Sequence, residues 1–174
     1  RDLYGTPVEL PVLDLRSYAG GLQPTATVGQ GQTRSLALKG ADGRLYTFRP
    51  VLKDPSAHLP AELRETLTRR LVIEQRASAH PAGHVVVPAL LQAAGILHNE
   101  PRLVVIPDDP ALGGFRAEFK DTVGDIEEWT GSPGFGGTTE TIDGEEMWRR
   151  LRASPDDRVD ARAYLKARLV DQLL

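Results

Sequence analysis

Gly29 and Gly31 stand in the segment Val28-Gly29-Gln30-Gly31-Gln32-Thr33, between two stretches with the composition of strands. Missing side chains let backbone N–H groups approach an anion, so a glycine turn of this kind is a candidate phosphate cradle, with Gln32 and Thr33 beside it. No helix follows directly, which excludes a dinucleotide fingerprint, and no Gly-Lys-Ser/Thr follows, which excludes a Walker loop. Taken alone, the turn reads more readily as a plain hairpin. Lys53 ends a third strand-like stretch, residues 44–53, and Val51 shares its face by the two-residue period. A lysine there can meet phosphates; the alternative is a strand-end lysine in water. Pro50 removes a ladder N–H and predicts an edge or a bulge.

Glu74 supplies an acid. Leu63, Leu67 and Leu71 recur at spacing four and predict the buried face of a long helix over residues 59–80. Seven residues at about 100° each bring Glu74 within roughly 20° of Leu67, whereas Glu65 lies about 200° away. A carboxylate on a leucine face is costly unless paired. Lys53 is the economical partner, with Arg70 or a helix end as alternatives. Asp108 and Asp109, in Pro107-Asp108-Asp109-Pro110, follow an apolar strand and read either as a hinge meeting a ligand or as an acidic surface turn. His80 and His84 are four apart, but Pro81 and Gly83 disfavour one helical face, and a zinc pair is not expected. Ser35, Ser56 and Ser78 fit no nucleophile elbow, and Trp129 and Trp148 read as packing residues.

The elements that must position these residues follow from periodicity and turn chemistry. Val8, Leu10 and Val12 alternate as a strand. Residues 22–28, 35–39 and 44–53 form a meander, its second turn marked by Asp42-Gly43. A short helix starts at Val87-Pro88 and is closed by Gly95. Residues 96–98 and 102–106 suggest a hairpin around Asn99-Glu100-Pro101. Residues 115–129 read as helical, interrupted at Gly124. Residues 131–137 hold four glycines and a proline and read as a mobile loop or linker. Ser154-Pro155-Asp156-Asp157 suits the start of a last helix. Its apolar, uncapped end at Leu173-Leu174 predicts that the polypeptide continues. The class is α+β: an antiparallel sheet of about five strands with one long packed helix in residues 1–110, then a mainly helical part, residues 111–174.

The 174 residues fit one domain, or one plus part of another, and are 40% hydrophobic and 26% charged. The 21 basic and 24 acidic residues are interspersed with a net charge of -3, which argues against a nucleic-acid partner. Without cysteine, disulfides, thiolate zinc sites and cysteine nucleophiles are excluded. The longest apolar run is too short to span a bilayer, and no signal peptide is visible. The chain begins at Arg1, as a processed form or a fragment would.

Several motifs carry a resemblance: Gln32-Thr33-Arg34-Ser35-Leu36, Tyr46-Thr47-Phe48-Arg49 with Lys53-Asp54-Pro55, Leu59-Pro60-Ala61-Glu62-Leu63-Arg64, and Pro101-Arg102-Leu103-Val104-Val105-Ile106-Pro107-Asp108-Asp109-Pro110. Together they resemble an uncharacterised bacterial family related to protein-kinase-like folds of the HipA and spore-coat CotH type. The resemblance implies a kinase-type nucleotide lobe with ATP and Mg as cofactors. Gly29 and Gly31 would be the phosphate loop, Lys53 the phosphate lysine and Glu74 its partner. Gly-Gln-Gly in place of three glycines, and Pro50 and Leu52 before the lysine, depart from the family pattern. The resemblance also implies a periplasmic or outer-membrane-associated setting and a second lobe in the remainder of the polypeptide. No catalytic residue falls within this chain, so the isolated chain is predicted inactive. A non-catalytic interaction or scaffold domain of an envelope protein is the alternative. A weaker third reading is a carboxylate hydrolase using Asp108 or Asp109.

Overall fold

Alternation of apolar and polar residues sets out five strands: β1 (Leu22–Val28), β2 (Ser35–Gly40), β3 (Leu45–Pro50), β4 (Arg102–Ile106) and β5 (Thr122–Glu128). In this computed structural model the described residues are 7–29, 34–52, 61–63, 66, 67, 71 and 83–173. The strands form one sheet in the order β1-β2-β3-β5-β4, with every neighbouring pair antiparallel. The expected α+β class and five-stranded antiparallel sheet are therefore present.

One face of the sheet is the core. Leu36 stands opposite Phe48, and Phe48 opposite Ile126, so the three share a face. Val104 and Ile106 on β4 join them. Leu13, Leu15, Leu112 and Phe119 cover this face from outside the sheet, all nearly inaccessible to solvent. Phe48 meets Phe119 edge to face, with ring centres 6.5 Å apart. Fully burying side chains of this size stabilises by about 1.5–3 kcal/mol each. Gly124 sits beneath the Phe48 ring, where no Cβ fits.

Several expectations need correction. Residues 115–129 are not one helix. A 3-10 stretch (Pro110–Phe115) and a one-turn α2 (Arg116–Phe119) are followed by β5, which lies between β3 and β4. Tertiary pairing overrides helix propensity here, because Ile126 fills the core opposite Phe48. The sheet thus draws a strand from beyond residue 110. Residues 96–98 form no hairpin arm, since β4 pairs with β5 instead. Of the strand expected around Val8, Leu10 and Val12, one parallel bridge remains, Val12 with Val105, flanked by bonds from Leu13 N–H to Val105 O (2.8 Å) and Val105 N–H to Pro11 O (3.0 Å). Pro7 and Pro11 bring no N–H to a longer ladder.

Pro50 is the last residue of β3, an inner strand, at a position that the β2 ladder does not reach, so the expected edge is a local one. Val51 N–H donates to Val123 O at 3.0 Å, so odd residues of β3 bond toward β5 and even ones toward β2. The absent Pro50 N–H points toward β2, whose ladder with β3 starts only at Leu36, opposite Phe48. The proline therefore costs the sheet no bond.

The helix α1 (Gly83–Ala93) precedes β4, starts earlier than Val87 and contains Pro88. Gly95 ends it at φ 60°, with Ile96 N–H reaching Leu91 O and Gly95 N–H reaching Gln92 O; this is a Schellman cap. Most of the long helix expected over residues 59–80 lies outside the described residues. Leu67 and Leu71, expected on its buried face, are 72% and 63% exposed. The sheet's apolar face is already occupied by Leu13, Leu15, Leu112 and Phe119, which leaves these leucines no place there.

Beyond the sheet, residues 131–137 are anchored rather than free. Ser132 and Phe135 are buried, and Leu45 N–H donates to Ser132 Oγ at 3.0 Å. Asp143 caps α3 (Gly144–Ala153) by accepting from Glu146 N–H. The last helix, α4 (Ala161–Leu173), is capped by Asp160, and Ser154 instead terminates α3. No helix among the described residues is long and apolar enough to cross a membrane.

Candidate functional site

Strand pleating that sends Phe48 and Ile126 to the core sends their neighbours to the opposite face. There Thr47 stands opposite Glu127 and Arg49 opposite Asp125. Thr47, Asp125 and Glu127 are buried, each with less than a tenth of its surface accessible. Burying two carboxylates two residues apart on one strand demands compensation. Each has a different partner. Arg49 Nη2 lies 2.8 Å from Glu127 Oε1. His84, the second residue of α1, brings Nε2 to 3.5 Å from Asp125 Oδ1, too far for a hydrogen bond. That nitrogen is itself buried and has no hydrogen-bond partner among the described residues.

The electrostatics follow. Burial pushes the Asp125 carboxyl above the usual carboxylate range; the Glu127 charge adds to this, while His84 and Arg49 oppose it without reversing it. Arg49 is the exposed element of the cluster. Its side chain is 53% exposed while that of Glu127 is 10% exposed, so a fixed acid holds a cation whose outer edge faces solvent.

The sheet registers bring some of the residues singled out in the sequence to one end of the sheet. β1 leaves it at Val28-Gly29, β2 enters at Ser35, β3 leaves at Pro50-Val51, β5 enters at Thr122 and β4 leaves at Ile106. Gly29 has φ 103°, a conformation that suits glycine. Val51 is half-buried and extends the β3–β5 ladder by one bond. Gly31, Gln32, Thr33, Lys53 and Glu74 lie outside the described residues.

Asp108 and Asp109 reach the same end of the sheet. They lie in the connection from β4 to β5, and the chain leaves the sheet only after Glu128. Asp108 is bound by Arg116 Nε at 2.5 Å, with Lys120 at 3.8 Å, and the Arg116 hydrogen bond holds its carboxyl below the usual range. Asp109 accepts from Ala111 N–H at 2.8 Å and caps the 3-10 stretch. Asp108 is thus taken up by two cations and Asp109 by a cap, which leaves neither poised as a general acid.

Arg49, Asp125 and Glu127 are site residues that sequence reasoning did not single out, and His84 was weighed there only as half of a zinc pair. Their signal was present in Val123-Gly124-Asp125-Ile126-Glu127, which alternates with period two. A helical reading of residues 115–129 concealed it. A groove along α3 bordered by Asp143, Glu145, Trp148 and Arg152 is a weaker candidate. Its chemistry is already satisfied, since Arg149 and Arg150 bind Glu146 and hold its carboxyl down at about 2.

Comparison of the chain with protein-family models, with curated proteins and with solved structures gave no match.

Proposed function

We propose that this chain is the nucleotide-binding lobe of a kinase-like phosphotransferase and that it binds ATP with Mg without turning it over alone. One observation carries the reading. The β1–β2 connection starts at a left-handed glycine, Gly29, and the end of β3 lies at the same end of the sheet, beside a buried polar face on which a strand cation is held by an acid. Phosphoryl-transfer enzymes of the kinase type combine these parts: a glycine loop between strands, a cation on the third strand and an acid that aims it. The test is titration of the chain with a fluorescent ATP analogue in the presence of Mg. Saturable binding that unlabelled ATP displaces is expected, weak because one wall of a cleft gives only part of a binding pocket. Gly29→Val, which is strained at positive φ, weakens it. Absence of saturable, ATP-displaceable binding defeats the reading.

A second reading, a non-catalytic interaction domain, has its own support. Leu165, Leu169 and Leu173 form a row at spacing four on α4, each more than half exposed. Rows of this kind mark partner surfaces when left uncovered. This reading predicts no effect of Mg-ATP on any property of the chain, and full tolerance of Lys53→Ala.

A further inference from the structure

Arg49 departs from the simplest cross-strand pairing. The carboxylate directly opposite it belongs to Asp125, yet the guanidinium reaches the diagonal acid, Glu127. Diagonal neighbours on one face lie within reach of long side chains. Glu127 is its one ion-pair partner among the described residues, engaged through Nη2. Donors at Nε and Nη1 remain, on a side chain that is half open to solvent. A guanidinium fixed on one edge and open on the other is suited to bind a phosphate oxygen pair.

We propose that Arg49 is the strand cation that meets the phosphates of the bound nucleotide, and that Glu127 is the positioning residue that aims it. The proposal rests on the nucleotide-lobe reading and assigns to β3 itself the role expected of Lys53. The local charge refines the ligand. Arg49 stands beside two buried acids, Asp125 directly opposite it and Glu127 on the diagonal, and acids so close to the guanidinium disfavour a bare polyphosphate. The site therefore takes a nucleoside polyphosphate together with its divalent cation in preference to the free anion.

The experiment uses the full 174-residue chain and the fluorescent ATP analogue, displaced in turn by ATP, ADP, AMP and inorganic tripolyphosphate, with Mg and with EDTA. For the wild type, affinity rises with phosphate number and falls on adding EDTA. Arg49→Met is expected to lower Mg-ATP affinity by about tenfold or more, the worth of a charged hydrogen bond, and to flatten the gradient from AMP to ATP. Arg49→Lys keeps the charge without the fork and recovers part of the loss. Glu127→Gln weakens binding in the wild-type background and has no further effect in Arg49→Met, because it acts through Arg49. A merely structural role for Glu127 would instead add to the Arg49→Met loss, and that outcome overturns the positioning assignment. If Lys53→Met abolishes binding while Arg49→Met binds as the wild type does, the Arg49 assignment falls and the nucleotide reading stands. Should Arg49→Met fail to fold by circular dichroism, Arg49→Lys decides: an unchanged gradient from AMP to ATP overturns the proposal. If the wild type binds none of the ligands, the underlying reading falls.

Discussion

Arg49 passes over Asp125, its direct partner in the β3–β5 ladder, and pairs at 2.8 Å with Glu127 on the diagonal. The two ends of this pair are unequally solvated. Removing Arg49 strands a buried carboxylate, whereas removing the Glu127 charge leaves a half-exposed guanidinium that water can solvate. Arg49→Met is therefore expected to cost about 1–3 kcal/mol, and Glu127→Gln less. The order of the urea midpoints checks this, and a Glu127→Gln variant less stable than Arg49→Met would contradict it.

Asp125 makes stability depend on pH. Its carboxyl is raised in the folded chain, chiefly by burial, above its unfolded value of about 4. A raised pKa contributes stability that is fully present below the unfolded pKa and is lost as pH rises through the folded one. Asp125→Asn removes that loss. It is expected to melt higher than the wild type at pH 8, by about 2–4 °C for each kcal/mol gained. The advantage shrinks as pH falls through the folded pKa of Asp125, and it disappears below the unfolded Asp value. Thermal melts of both proteins from pH 3 to pH 8 measure it.

Gly124 is fixed by the aromatic core rather than by its backbone conformation. A Cβ there would overlap the Phe48 ring and stand 2.5 Å from the Arg49 carbonyl oxygen. Since backbone cannot give way as a side chain can, Gly124→Ala is expected to destabilise by about 1–3 kcal/mol. Gly114, at which nothing lies within 4 Å of an added Cβ, is the control: Gly114→Ala should change the urea midpoint little.

Asp108 and Asp109 are expected to matter for the β4–β5 connection and not for nucleotide affinity. Asp109→Ala removes the cap of the 3-10 stretch and should cost about 1 kcal/mol. Asp108→Ala loses an exposed ion pair with Arg116 and should move the urea midpoint little. A tenfold loss of ATP affinity in either variant, with stability preserved, would restore them to the binding site.

The meander was readable from the chain alone because its signals are local. Asp42-Gly43 and the glycines at 29 and 31 punctuate stretches whose alternation is clean, and the structure carries β1, β2 and β3 within a residue or two of the expected bounds, apart from β3, which ends at Pro50. Residues 115–129 were misread because a stretch with charged residues and one glycine satisfies a helical pattern as well as a strand pattern. What separates the two is the presence of Phe48 opposite Ile126, nearly eighty positions away. The same holds for Leu67 and Leu71, whose spacing marks a stripe but does not say whether anything covers it.

The sequence by itself determined the α+β class, the glycine turn between two strands and the exclusion of cysteine chemistry. Only the tertiary structure decided that β5 enters the middle of the sheet and that Asp125 and Glu127 become buried acids. It also decided that Arg49 is the cation paired with Glu127 among the described residues. The reason is that turn and strand preferences act between adjacent residues. Strand order and the pairing of buried charges depend on which surfaces meet after the chain has closed on itself.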